Sequence, residues 1–213
     1  MSPKEQFINL VEKYVKRPGT EDLLNHLEKR GFFDAPASKK YHGSYPGGLV
    51  EHSINVYYAL RDVLTMIFGK EWTQRYSEET VAIFSLFHDV CKSDKYLSTT
   101  RNVKNQETGV WETAQVYDYN GEHRRNGHGS LSNYILMDFI HLSEDERQAI
   151  HWHMGAYDIS QYNTVQDLAN AWCRNTLAFA LHLADMRATY IDENDKFVPI
   201  DYNLIKSEDK GAN

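Results

Sequence analysis

The chain has 213 residues, a formal charge of −7 and an apolar fraction of 41 %, enough for one sizeable core. No uninterrupted apolar run reaches the roughly 18 residues that a membrane-spanning helix needs, so a membrane partner is not expected. Lys plus Arg number 23 against 30 for Asp plus Glu, which argues against an extended duplex nucleic-acid footprint and leaves room for a local basic pocket for a small anion.

Phe7, Ile8, Leu10, Val11, Tyr14 and Val15 fall at helical spacing, and Pro18-Gly19 stops that pattern. Thr20 is a candidate cap for a second helix carrying Glu21 and Asp22 in its first turn, an apolar stripe of Leu23, Leu24 and Leu27, and Gly31 as its stop. Residues 32–47 read as loop. A long helix follows, with Leu49, His52, Val56, Ala59, Leu60, Val63 and Ile67 on one face, so His52 is expected on its buried side. Ser77 opens the next helix, whose face of Val81, Phe84, Ser85 and His88 is expected to run to Lys92.

From Ser98 to Asn120 the text turns to Thr, Val, Trp and Tyr around a polar turn, which predicts an inserted hairpin. Helical spacing resumes at His128 with Leu131, Ile135 and Phe139, after a Gly127 read as allowing close backbone approach. Ser143 and Glu146 form a capping-box match before Ala149, Ile150 and His153, and Gly155 ends that helix. Thr164 and Asp167 open a last long helix through Leu168, Trp172, Phe179, His182, Asp185 and Met186, followed by a polar tail expected to fray. The expectation is an all-α bundle of about six helices with one small hairpin. Residues 1–39 would pack on a body spanning 40–192, and 193–213 would form the tail. Two cysteines, Cys91 and Cys173, and an N-terminus without the basic and apolar regions of a secretory signal point to the cytoplasm.

Ten histidines are the compositional anomaly, because imidazole is the commonest metal ligand. Histidine or aspartate interrupts an apolar helical face at His52, at His88-Asp89, at His153 and at Asp185. A buried carboxylate without a partner is expensive, so these positions imply positive charge between the helices. Their wide intervals exclude zinc-finger spacing and suit a site assembled from facing helices. His151 is a rival to His153, but two residues apart on a helix they point in different directions. His182 reads equally as a partner for Asp185 or as a core histidine, and His26, His123 and His141 as solvated side chains.

The ordered words Tyr41-His42-Gly43, Gly47-Gly48-Leu49-Val50-Glu51-His52-Ser53, His88-Asp89-Val90-Cys91-Lys92, Gly127-His128-Gly129, His153-Met154-Gly155 and Leu183-Ala184-Asp185 resemble the HD-domain metal-dependent phosphohydrolase superfamily over roughly residues 40–192. That resemblance implies a helical bundle in which His52, His88, Asp89 and Asp185 bind one divalent ion. His128 and His153 would complete a second site, with Asp89 bridging. Cys91 departs from the family's usual small residue, and Met154 replaces a further histidine found in some members, which favours two ions over three. Histidine-rich ligation favours Fe, Mn, Co, Ni or Zn over Mg.

Four neutral imidazoles and two carboxylates around two divalent cations carry a charge of about +2, or about +1 with a bridging hydroxide, which suits a phosphate ester. Lys92 would neutralise charge developing on the phosphoryl oxygens, or simply end its helix. His42, in a glycine-rich loop before a helix N-terminus, would contact phosphate or protonate the leaving group. Tyr41, Tyr45 and Tyr157 would offer an aromatic wall to a base. The expected function is hydrolysis of a phosphomonoester or phosphodiester in a small, nucleotide-like substrate. A nucleotide-sensing domain without turnover and a di-iron oxygenase of the same fold are the alternatives. A homo-oligomer is compatible with each.

Overall fold

Ser2 and Glu5 cap each other's backbone N–H groups and Pro3 takes the first helical position, which starts α1 (Pro3–Tyr14). The computed structural model describes residues 1–105, 108–123 and 127–194. α2 (Thr20–Lys29) is capped by Gly19 rather than by Thr20, whose hydroxyl instead donates to Arg17 O at 2.7 Å. The reason is steric: Gly19 has φ +89°, and a Cβ there would lie 1.9 Å from the Phe139 carbonyl oxygen. No helix or strand forms between Lys29 and Gly48, and α3 (Gly48–Phe68) then runs through the centre with His52 buried on its inner face.

Ser77 caps α4 (Glu78–Leu86), but this helix stops before Lys92. Asp89 has φ −112° and ψ 17°, outside the helical region, and a short 3-10 turn covers Val90–Asp94. The hairpin pairs β1 (Tyr96–Lys104) with β2 (Trp111–Tyr119) in antiparallel register from Tyr96–Tyr119 to Lys104–Trp111. Asn120 N donates to Lys95 O at 2.9 Å and Asn120 Nδ2 to Asp94 O at 2.9 Å, so the insertion leaves and returns at one point.

Next come α5 (His128–Met137) and α6 (Glu144–Trp152), the latter opened by the Ser143–Glu146 capping box. The close approach expected at Gly127 occurs at Gly129 instead. A Cβ on Gly129 would meet Ile150 O at 2.3 Å and His151 O at 2.5 Å, whereas one on Gly127 would meet only the Ser130 side chain, at 3.8 Å. Gly127 is required for its φ of +77°. The expected last long helix is two, α7 (Val165–Arg174) and α8 (Thr176–Arg187). Asn175 breaks it, because its side chain accepts from Leu177 N to cap α8 and donates to Asp145 O at 2.9 Å.

The described residues are thus all-α in class, with eight α-helices rather than about six and one two-stranded sheet. The core lies between α3, α4, α6 and α8. Phe7 of α1 meets Phe32, Phe33 and Phe87 with ring centroids 5.2, 5.7 and 5.5 Å away, which ties the first helix to the end of α4. Burying a ring of this size contributes about 2 kcal/mol. Arg17 reaches from the α1–α2 connection to the buried Glu146 with a two-pronged ion pair at 2.6 and 2.7 Å. No described helix is long and apolar enough to cross a membrane. Of the polar tail, residues 195–213 lie outside the described residues, whereas Glu193 packs against α3.

Candidate metal centre

Asp89 is the middle of the site because α4 ends three residues before it. Inside the helix its side chain would follow the α4 face; in the turn it projects into the space enclosed by α3, α5, α6 and α8. It is 1 % exposed, and its two oxygens face different partners. Oδ2 stands 3.8 Å from His52 Nε2, 3.5 Å from His88 Nε2 and 2.5 Å from Lys92 Nζ. Oδ1 stands 2.5 Å from His128 Nε2 and 3.4 Å from His153 Nε2. Asp185 of α8 closes the first side, its Oδ1 lying 3.2 Å from His52 Nε2. All six residues of the expected ligand set therefore converge, in overlapping groups whose donor atoms lie within 4.8 Å of one another for His52–His88–Asp89 and for Asp89–His128–His153.

The outward ring nitrogens are occupied. His88 Nδ1 is 2.7 Å from Ser85 O and His153 Nδ1 is 2.6 Å from Ile150 O, so both rings donate outward and present a lone pair at Nε2. His52 Nδ1 is 3.0 Å from Glu193 Oε1, and His128 Nδ1 is 3.2 Å from Cys91 Sγ. The four inward Nε2 atoms and Asp89 Oδ1 are buried, and none makes a well-aligned hydrogen bond, although Asp89 Oδ1 lies close to His128 and Asp185 Oδ1 close to His52. Converging buried lone pairs are costly unless a cation satisfies them, so the donor set fits divalent metal.

Charge agrees. Burial opposes ionisation of Asp89, but Lys92, His128 and His88 outweigh it and hold the carboxyl well below the usual range. Burial likewise opposes ionisation of Asp185, and His52 overcomes it. Burial disfavours charge on His52, yet Glu193 and Asp185 push its pKa up to about 10. At the other end burial dominates and pulls His128 down to about 4 despite Asp89. The carboxylates draw positive charge into the cluster; a proton on His52 supplies it, and a metal ion is the other species able to.

Lys92 is buried, and burial opposes its charge, but Asp89 raises its pKa and keeps it cationic. His42 joins the site, its ring centroid 4.9 Å from that of His52 and its Nε2 buried without a partner. Burial, and then His52, pull its pKa down to about 4, so this imidazole is neutral. Tyr41 is 81 % exposed, and Tyr45 is half exposed with its hydroxyl donating to Glu51 at 2.8 Å, so these two flank His42 on its loop rather than lying in the cluster. Tyr157 is exposed, with its hydroxyl 3.2 Å from that of Tyr190.

His151 turns away to Ser130 Oγ at 3.0 Å and lines a separate groove of about 600 Å³. His182 bonds the His153 carbonyl at 2.7 Å and stacks on Trp172, so it braces His153 rather than Asp185. His123 pairs with Asp94 at 3.0 Å, His26 packs on Phe139, and His141 is exposed. Sequence reasoning missed Glu193 and the contact of Cys91 with His128. The signal for Glu193 was its spacing: Asp185, Thr189 and Glu193 recur every four residues. Comparison with family models, curated proteins and solved structures found no match for this chain.

Proposed function

We propose that this chain is a dinuclear metal-dependent phosphohydrolase of the HD-domain type, acting on a small, nucleotide-like phosphomonoester or phosphodiester. The observation that carries the reading is the division of Asp89, one oxygen toward His52 and His88 and the other toward His128 and His153, with four buried imidazole nitrogens turned inward and none in a well-aligned hydrogen bond. His52, His88, Asp89 and Asp185 would hold one ion, and Asp89, His128 and His153 the other. Bound there, the pair supplies Lewis acidity to a phosphoryl group and acidifies the attacking water.

The chain's own residues do the rest. Lys92, buried and cationic beside Asp89, offsets charge gathering on phosphoryl oxygens. His42, neutral and adjacent to His52, contacts the phosphate through a ring N–H rather than acting as the acid for the leaving oxygen. Tyr41 and Tyr45, on the same loop, offer ring faces to a base. The overall charge of −7 disfavours long polyanions and so favours small substrates.

The test is metal analysis of protein purified without chelator, with phosphate release from a nucleotide panel measured on the same preparation. About two Fe, Mn, Co, Ni or Zn ions per chain and phosphate release with Mn or Zn under anaerobic conditions are expected. Turnover confined to iron and consuming oxygen would assign the centre to oxygenation, nucleotide binding without turnover would make it a sensor, and a metal-free preparation that takes up no ion would overturn the reading.

A further inference from the structure

The chain leaves α8 through a π-helical turn, Ala188–Asp192, and the wider turn decides where the next side chain falls. Glu193 N donates to Ala188 O at 2.9 Å. Arg187 binds forward to Asp192 at 3.2 Å and back to Asp62 of α3 at 2.8 Å, so the turn is clamped against the helix that carries His52. The Glu193 carboxylate is 9 % exposed; its Oε1 and Oε2 lie 3.0 and 3.1 Å from His52 Nδ1, and Asn55 Nδ2 donates to Oε1 at 3.0 Å.

We propose that Glu193 is a positioning residue for the ion on the His52 side of Asp89. The inference rests on the dinuclear reading above. Glu193 holds His52 with Nδ1–H outward and Nε2 toward the cluster, and its charge strengthens Nε2 as a donor. The other three inward histidines are oriented by neutral partners, Ser85 O, Ile150 O and Cys91 Sγ. Removing the carboxylate should therefore weaken one ion and spare the other, which a merely structural role would not do.

Metal-free wild type, Glu193→Ala and Glu193→Gln are titrated with Zn²⁺ against a chromophoric chelator, and the His52 Nδ1–H is followed in long-range ¹H–¹⁵N spectra of the Zn-loaded proteins. Wild type should bind two ions tightly. Glu193→Ala should keep one at wild-type affinity and lose about 10–100-fold on the other, with the Nδ1–H exchanging rapidly. Glu193→Gln, whose side-chain oxygen still accepts that hydrogen, should fall between, and it decides the matter if the alanine variant does not fold. Both ions retained at wild-type affinity, or both weakened alike, overturns the role of Glu193. A wild type that binds no Zn²⁺ overturns the dinuclear reading itself, a distinct result.

Discussion

Replacing Gly129 by Ala separates local preference from packing, because the two demand opposite signs. Gly129 is the second residue of α5 and has ordinary helical backbone, so alanine there would stabilise the helix by up to about 1 kcal/mol if nothing stood nearby. Its Cβ would instead meet Ile150 O at 2.3 Å, His151 O at 2.5 Å and His151 Cα at 2.7 Å, all backbone atoms that no rotamer change can move. Relief requires α5 and α6 to separate by about 1 Å, given optimal separations of about 3.5 Å. Overpacking of this kind costs typically about 1–3 kcal/mol, more than the propensity gain.

A net loss of about 1 kcal/mol lowers Tm by roughly 2–4 °C in a domain of this size. The same movement carries His128 away from His153, although both address Asp89 Oδ1, and it exceeds the roughly 0.5 Å that a ligand set tolerates. Thermal unfolding of metal-free protein and Zn²⁺ stoichiometry together check this outcome: a lower Tm, with the second ion lost and the first retained. A Gly129→Ala protein as stable as wild type, or more so, refutes the packing argument outright.

Asp89→Ala should lose both ions and all turnover, because a shared carboxylate has no substitute in Val90 or Cys91; Lys92→Ala should keep both ions and lower kcat by about 10–100-fold, and equal metal loss in the two would make Lys92 structural. Burial works against the Glu146 carboxylate, but Arg17 and the Ser143 N–H hold its pKa below the unfolded value of about 4.3, so its contribution to stability is complete above about pH 5 and is lost as pH falls through the folded pKa. Glu146→Gln should cost about 3 kcal/mol at pH 7 and flatten the acid limb of urea-unfolding stability; an unchanged limb would remove the pair from that account. Shortening the hairpin to a Gly-Ser link after Lys95 deletes the Lys39–Asp118 bridge of 2.9 Å, which joins it to the segment leading to His42, so KM or substrate preference should change while Zn²⁺ binding does not; identical kinetics across the panel would show the hairpin to be a bystander.

Much of the fold was legible because it is written in local chemistry. The Ser143–Glu146 and Thr164–Asp167 boxes start helices where their spacing says they should, and the period of His52 within α3 puts it on the buried face. What was not legible depends on contacts remote in sequence. Gly19 displaces Thr20 as a cap because Phe139 lies against it, and the demand for glycine falls at 129 rather than 127 because α6 passes there. Asn175 breaks a continuous apolar pattern because its side chain has a second partner, the Asp145 carbonyl. The six expected ligands do converge: five interrupted apolar stripes that had to face inward, and His128, at the start of its helix, joins them through Asp89. Glu193 escaped notice for the opposite reason, sitting in a polar stretch with no stripe to interrupt.

The residues that converge on Asp89 come from five separate stretches of chain, and the Glu193 carboxylate that meets His52 is 141 residues away from it. Synthesis proceeds from the N-terminus, so His52 and His88-Asp89 emerge well before α8 brings Asp185. Before α8 the chain thus holds His52, His88, Asp89, His128 and His153, but lacks Asp185, which closes the His52 side, and Glu193, which meets His52 Nδ1. On the proposed dinuclear reading, the His52 side is complete only once the last helix has docked. A chain cut short before α8 would, on that reading, keep the Asp89–His128–His153 group and lose the other, so an ion held on the His52 side would report a finished molecule.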